Sequence, residues 1–438
     1  MRTWIFGACL SALVVGGGLK AAYADETCNS PFTAALIKGQ EEYLHVWTLG
    51  MKGVGDESDK LVTIDVVPGS PTYGKVVDTL SVGGRGEAHH MGFTDDRRFL
   101  WAGRLDDNKI FIFDIQDPAK PKLHKTITDL AEKTGFVGPH TFYAMPGRVL
   151  VQALSNSKDH TGRTGVIVYS NQGELVSTYD MPTASMGGDG YGYDIGVNPN
   201  QNVMLTSSFT GWTNYMMDLG TLVKDAGAMK NFGNTMAVWD VKSMKPIKVL
   251  SVPGAPLEIR WSLKPGADWA LTATALTSKI WLVRKDDKGE WQAKDVATVG
   301  DPAKIPLPVD ISIAADGKHL WVNTFMDGSA RLFDISNVEA PKEVYSKKIG
   351  NQVNMVSQSW DGKRVYFTTS LLANWDKKGE ENDQFLKSYD WDGKELTERF
   401  KIDFIAEKLG RAHHMKFSAR PNSKAIGSTM DVYRSLQN

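Results

Sequence analysis

Ala88-His89-His90-Met91-Gly92-Phe93 and Ala412-His413-His414-Met415-Lys416-Phe417 carry nearly the same text near opposite ends of the chain. In each, polar residues open a short apolar strand. The same unit, a polar strand start, a turn rich in Asp, Gly, Asn or Pro, then a strongly apolar strand, returns at Pro139-His140-Thr141-Phe142, Tyr193-Asp194-Ile195-Gly196, Glu258-Ile259-Arg260-Trp261, Val309-Asp310-Ile311-Ser312 and Val353-Asn354-Met355-Val356. The starts lie about 45 to 65 residues apart, a period typical of propeller blades. Seven starts predict an all-β, seven-bladed β-propeller.

Each start leads into strands that fit a four-stranded blade. In the first unit these are His90 to Phe93, Arg98 to Gly103, Lys109 to Ile115 and Pro121 to Ile127. In the fifth they are Asp310 to Ala314, His319 to Asn323, Ala330 to Ile335 and Glu343 to Ile349. The seventh start comes too near the C-terminus to be followed by three more long strands. Tyr43 to Thr48, Lys60 to Asp65 and Lys75 to Val82 precede the first start and supply what is missing. The last blade is therefore expected to be closed by N- and C-terminal strands, which leaves no sheet edge exposed. Helical patterns are confined to connectors such as Ile127 to Lys133 and Met216 to Ala228, and Asp218 to Phe232 reads as an insertion. Residues 25–438 are expected to form a single domain.

Residues 1–24 read as a secretory signal peptide. Arg2 starts it, Trp4 to Leu19 is apolar, and Ala22-Tyr23-Ala24 ends in the small-x-small pattern that signal peptidase reads, placing cleavage before Asp25. The apolar run, broken by Gly16-Gly17-Gly18, is shorter than the ~20 residues that span a bilayer. Phe6-Gly7-Ala8 before Cys9 is a poor lipobox. The expected address is the periplasm. Removing Arg2 and Lys20 moves the formal charge from −1 to −3, which suggests neither nucleic acid nor a membrane surface as partner. Only Cys28 remains after cleavage, so an intrachain disulfide, a C-x-x-C pair and a cysteine zinc cluster are excluded. With 42% hydrophobic residues the chain has the material for a large core to hold the fold instead.

In a propeller the first strand of each blade lines the central channel. Registering the units on the apolar second strand aligns Trp101 with Trp321, Val151 and Leu205, which places His90, His140, Asp194 and Asp310 at one level. The final unit puts His414 at that level and His413 opposite His89. Blade four needs two extra turn residues to bring in Glu258, and blade six falls on Met355 with Asn354 one step away. Strand side chains alternate, so both histidines of a pair reach the channel only where the strand start is irregular.

Five of the nine histidines, His89, His90, His140, His413 and His414, fall on blades seven, one and two, which become neighbours once the ring closes. That clustering predicts a metal site. His45, His124 and His319, in or beside outer strands, and His160, in a polar loop, read as structural. Asp194, Glu258 and Asp310 read as channel-lining groups supporting the ligands. Imidazole suits zinc, copper, iron and nickel. The lack of a cysteine in the strands excludes a blue-copper centre, while a histidine-only copper site and an open zinc site both stand; an exported address favours copper. There is no G-x-S-x-G elbow and no H-E-x-x-H helix, and Met186-Gly187-Gly188-Asp189-Gly190 reads as a loop entering blade three rather than a phosphate loop.

Asp107-Asn108-Lys109-Ile110-Phe111, Pro121-Lys122-Leu123-His124-Lys125, Asp361-Gly362-Lys363-Arg364-Val365-Tyr366 with Thr368-Thr369-Ser370-Leu371, and Trp375-Asp376-Lys377 resemble the selenium-binding protein family, from about Glu41 to His413. The resemblance implies a copper-dependent oxidation of methanethiol by dioxygen and water to formaldehyde, hydrogen sulfide and hydrogen peroxide. It implies metal ligation by His89, His90, His140 and His413. Animal members carry an acidic residue where this chain has His414. They also carry a cysteine, linked to selenium binding, near the position of His45 and Val46, and this chain has none there. The rival reading is a non-catalytic propeller that carries copper or a thiol or selenium ligand, since fold alone does not fix function. Association of identical subunits stays open.

Overall fold

The computed structural model describes residues 30–421 other than 263 and 265, together with residue 427. The expected signal peptide, residues 1–24, and Cys9 and Cys28 lie outside the described residues. Seven four-stranded antiparallel sheets form a ring, a seven-bladed β-propeller. Blade one is Ala88–Phe93, Phe99–Arg104, Lys109–Asp114 and Lys122–Ile127, and blade five is Pro308–Ile313, His319–Thr324, Ser329–Asp334 and Lys342–Lys348. Both agree with the expected strands to within one or two residues at each end.

Blade seven is shared by distant parts of the chain. The innermost strand Arg411–Ser418 pairs with Tyr43–Leu49, which pairs with Lys60–Asp65 and then Val76–Ser81. Arg97 of blade one donates to the Phe417 carbonyl at 2.6 Å across the closure.

Each blade packs on both faces, and this governs its sequence. Between every two consecutive blades lies one apolar cluster, seven in all. Inner strands such as Ala88–Phe93 and Phe99–Arg104 are accordingly buried at every position, whereas the outermost strand Leu175–Asp180 alternates between half-buried and exposed. Two-sided burial erases the period-two pattern that a one-sided sheet shows. Blades one and two approach so closely that a Cβ on Gly92 would lie 2.0 Å from the Phe142 carbonyl oxygen, and one on Gly103 would lie 2.2 Å from that of Pro139.

An eighth apolar cluster lies apart from the seven. It joins Leu105, Leu154, Tyr193, Phe209, Leu257, Val309 and Leu371 from strand ends and loops of several blades with Tyr215, Leu222 and Phe232 of the blade-three insertion. The insertion folds as three short helices, Trp212–Met216, Leu219–Leu222 and Ala226–Met229. Asp218 and Asp225 cap the last two by accepting from backbone N–H groups. The connector expected after Ile127 is the helix Leu130–Thr134. Among the described residues no helix is long and apolar enough to cross a membrane.

Candidate metal centre

The innermost strands begin irregularly, and the irregularity delivers the histidines. In blade one, Ala88 pairs with Arg104 and Met91 with Ala102, so His89 and His90 together oppose one residue. In blade two, Pro139 pairs with Ala153 and Thr141 with Gln152, leaving His140 extra. In blade seven, Trp47 pairs with His414 and Thr48 with Ala412, leaving His413 extra. Blades four and five carry the same shift at Pro256–Ile259 and Pro308–Asp310. A bulge re-aims the side chains of the residues it inserts. Here it turns adjacent histidines into one space despite strand alternation.

The rings meet there. Centroids are 4.0 Å apart for His89 and His413 and for His90 and His140, 4.7 Å for His89 and His140, and 4.7 Å for His90 and His414. His89, His90 and His413 each offer a ring nitrogen, and the three nitrogens all lie within 4.8 Å of one another. All five histidines are buried.

Two tautomers follow from hydrogen bonding. Nδ1–H of His413 donates to the Ser370 carbonyl at 2.7 Å, since a carbonyl only accepts. His140 Nδ1 lies 3.0 Å from Thr141 Oγ1, and Thr141 spends its own proton on the Tyr193 carbonyl at 2.8 Å, so His140 Nδ1–H is the donor. Both therefore present Nε2 as a lone pair. Those two atoms, His89 Nδ1 and both ring nitrogens of His414 are buried with no hydrogen-bond partner among the described residues. Buried polar atoms are nearly always paired. Unpaired lone pairs of His140 and His413, with His89 Nδ1 and one nitrogen of His414, fit a cation held by imidazoles beside the point where His89, His90 and His413 converge; His140 and His414 fall outside that closest group of three, and imidazole donors suit copper or zinc.

Burial holds His89, His90, His140 and His414 well below the usual histidine range, with neighbouring imidazoles adding to it at His89 and His90, and takes His413 to about 3. The imidazoles are thus neutral near pH 7, the form that binds metal.

The other side of the ring is acidic. Asp194, Glu258 and Asp310 converge on Arg260, at 3.4, 3.3 and 2.9 Å. Asp194 also accepts from the Ile259 N–H, and Asp310 from those of Ile311 and Val356. All three are buried and tied together through Arg260. Glu258 comes within 3.7 Å of His90 Nε2, and burial together with Asp194 pushes its carboxyl well above the usual range. Blade six contributes Asn354, whose Nδ2 donates to the same Ser370 carbonyl that orients His413; Met355 belongs to the core between blades six and seven.

The remaining histidines are elsewhere. His124 and His319 lie on an outermost and a second strand of their blades, and His160 stacks on Trp212. Neither His319 nor His45 is on an outer strand, since His319–Thr324 and Tyr43–Leu49 are each second in their blades; His45 is fully buried between Thr63 and Ser418 hydroxyls at 3.1 and 2.7 Å. It remains structural. Sequence reasoning did not find the roles of Thr141, Tyr193 and Ser370. Tyr193 packs on His140 at 4.1 Å, and Ser370 is fixed by Asp376, which accepts from Ser370 Oγ at 2.7 Å and Arg411 Nη1 at 2.8 Å. Their only signal was position beside a strand start or inside a family-like stretch.

Fold and site together define a seven-bladed propeller with a buried polyhistidine centre in its channel. Residues 22–426 match the profile of the 56 kDa selenium-binding proteins, and the chain belongs to that family. A methanethiol oxidase of a Hyphomicrobium species is 73% identical over 96% of this chain and 97% of its own length. That of Ruegeria pomeroyi is 58% identical over 96% and 99%. Among solved structures, a hypothetical selenium-binding protein from Sulfolobus tokodaii superposes with a TM-score of 0.77 at 25% identity, covering 91% of this chain and 98% of that one.

Proposed function

We propose that this chain is a periplasmic, copper-dependent methanethiol oxidase that converts methanethiol, dioxygen and water to formaldehyde, hydrogen sulfide and hydrogen peroxide. The observation that carries the reading is the convergence of buried ring nitrogens from His89, His90 and His413, in a chain whose relatives at 73% and 58% identity bear that name. His89, His90, His140 and His413 would hold the metal, with His414 beside them. Copper held there would supply redox-active Lewis-acid chemistry suited to a thiolate and to dioxygen.

The chain's own residues do the rest. Thr141 and the Ser370 carbonyl hold the His140 and His413 rings with Nε2 inward. Burial keeps the imidazoles neutral, so no proton competes for the lone pairs near pH 7. Tyr193 and Phe209, 5.1 Å apart, wall the His140 side with apolar surface, which suits a one-carbon thiol and keeps bulk water out. The balance requires the C–S bond to break, sulfur to leave as sulfide and water to provide the carbonyl oxygen. The carbon gives up the two electrons that reduce dioxygen to peroxide.

Copper-loaded protein given methanethiol and dioxygen should release formaldehyde, sulfide and peroxide in equal amounts. Dimethyl disulfide as sole product, or equal turnover without copper, would contradict an oxidase and favour a copper or thiol carrier. Export rests on Ala22-Tyr23-Ala24. N-terminal sequencing of protein from its native host should read from Asp25, and a mature chain starting at Met1 would refute it.

A further inference from the structure

A cleft of about 430 Å³ opens beside the loop that leads into His89. Its mouth carries exposed Arg85, Asp106 and Asn374, charges of both signs that steer no particular ion. Its floor is formed by Leu105, Tyr215 and Leu372, which also belong to the eighth apolar cluster, together with the buried carboxyl of Glu87, which accepts from the Ala373 N–H at 3.1 Å. From that floor an unbroken run of aromatic contacts leads inward. Tyr215 meets Phe209 at 6.1 Å, Phe209 meets Tyr193 at 5.1 Å, and Tyr193 meets His140 at 4.1 Å. All three aromatic residues are no more than 2% exposed. The Tyr215 hydroxyl, buried with no hydrogen-bond partner among the described residues, can pair with one neutral polar group such as a thiol but cannot replace the hydration shell of an ion.

We propose that this cleft is the substrate entrance and that Tyr215, Phe209 and Tyr193 form its selectivity barrier, passing small uncharged thiols and turning back charged ones. The proposal rests on the methanethiol reading of the same site. A one-carbon thiol crosses as the neutral molecule and loses little hydration. A thiol bearing a carboxylate, sulfonate or ammonium must shed a full hydration shell against rings that cannot replace it, and a charge buried without a partner is strongly disfavoured. Selection thus occurs before the metal, by desolvation and width rather than by a binding clamp.

The test uses the metal-free full chain and two alkylating probes, iodomethane and iodoacetate, with modified histidines read by mass spectrometry. The His140 Nε2 lone pair displaces iodide from the methyl carbon, leaving an N-methylimidazolium and free iodide. Iodomethane should mark His140, iodoacetate should not, and exposed His124 should be marked by both. Asn374→Trp, an exposed change that narrows the mouth, should slow iodomethane at His140 about tenfold, as a narrowed gate does, and leave His124 unchanged. Phe209→Ala should admit iodoacetate. Marking of His140 at the unaltered rate in Asn374→Trp, or equal marking by both probes in the parent chain, overturns the proposal. If the probes behave as expected but copper-loaded protein oxidises no methanethiol, the functional reading falls and the entrance stands. If methanethiol is oxidised while Asn374→Trp changes nothing, the entrance falls alone.

Discussion

His45 and His413 have the same ring in similarly buried places, yet they serve different ends because of what faces their nitrogens. Both His45 nitrogens meet hydroxyls, while His413 has one nitrogen on a carbonyl and the other bare. His45 therefore contributes through stability alone, and with a predictable sign. Burial depresses its pKa from 6.5 to about 3, so the unfolded chain takes up a proton that the folded chain refuses. Stability then rises with pH between those values and is lost as pH falls from about 6.5. The slope for one such group is about 1.4 kcal/mol per pH unit. Urea unfolding should show the parent losing about 2 kcal/mol more than His45→Gln between pH 7 and pH 5; equal losses would mean His45 is not buried neutral. At this scale the sequence was partly legible. The level of His90, His140, Asp194 and Asp310 emerged from aligning apolar second strands, and the paired registers reproduce it: Gly92 opposes Trp101, Phe142 opposes Val151, Gly196 opposes Leu205 and Ser312 opposes Trp321, each two residues past its polar group. Tyr193, Phe209 and Ser370 were not legible as site residues, because their nearness to the histidines is made by tertiary packing and no spacing encodes it.

At the level of single strands, the bulge is the device that matters. Strand pairing alone would send His89 and His90 to opposite faces, and the two-against-one register brings both into the cluster. The text shows paired histidines but not the bulge, since side-chain pattern says little about which backbone N–H groups skip a partner. Directly after the bulge, Gly92 lets blade one lie against the Phe142 carbonyl, which sets the distance between the His90 and His140 strands. A methyl there meets backbone that cannot swing aside. Gly92→Ala should cost about 1–3 kcal/mol by overpacking, seen as a lower thermal midpoint. An unchanged midpoint would show that the two blades can separate freely and that their spacing is not fixed at this contact.

Across the whole molecule, ring closure is what makes a centre from residues at opposite ends of the sequence. Blade seven takes its inner strand from Arg411–Ser418 and its other three from residues 43–81. Closure places His413 and His414 beside His89 and His90, and blade two adds His140. This architecture was the most legible feature, because seven starts and a set of orphan N-terminal strands fit only a closed ring. What the ring holds was less so, because imidazole donors admit several metals. Whether these histidines hold copper is decided by metal analysis of the purified full chain. The parent should carry about one copper per chain, lost in His140→Ala and in His413→Ala and retained in His124→Ala. Stoichiometric zinc without copper, or copper that survives both site substitutions, would contradict it.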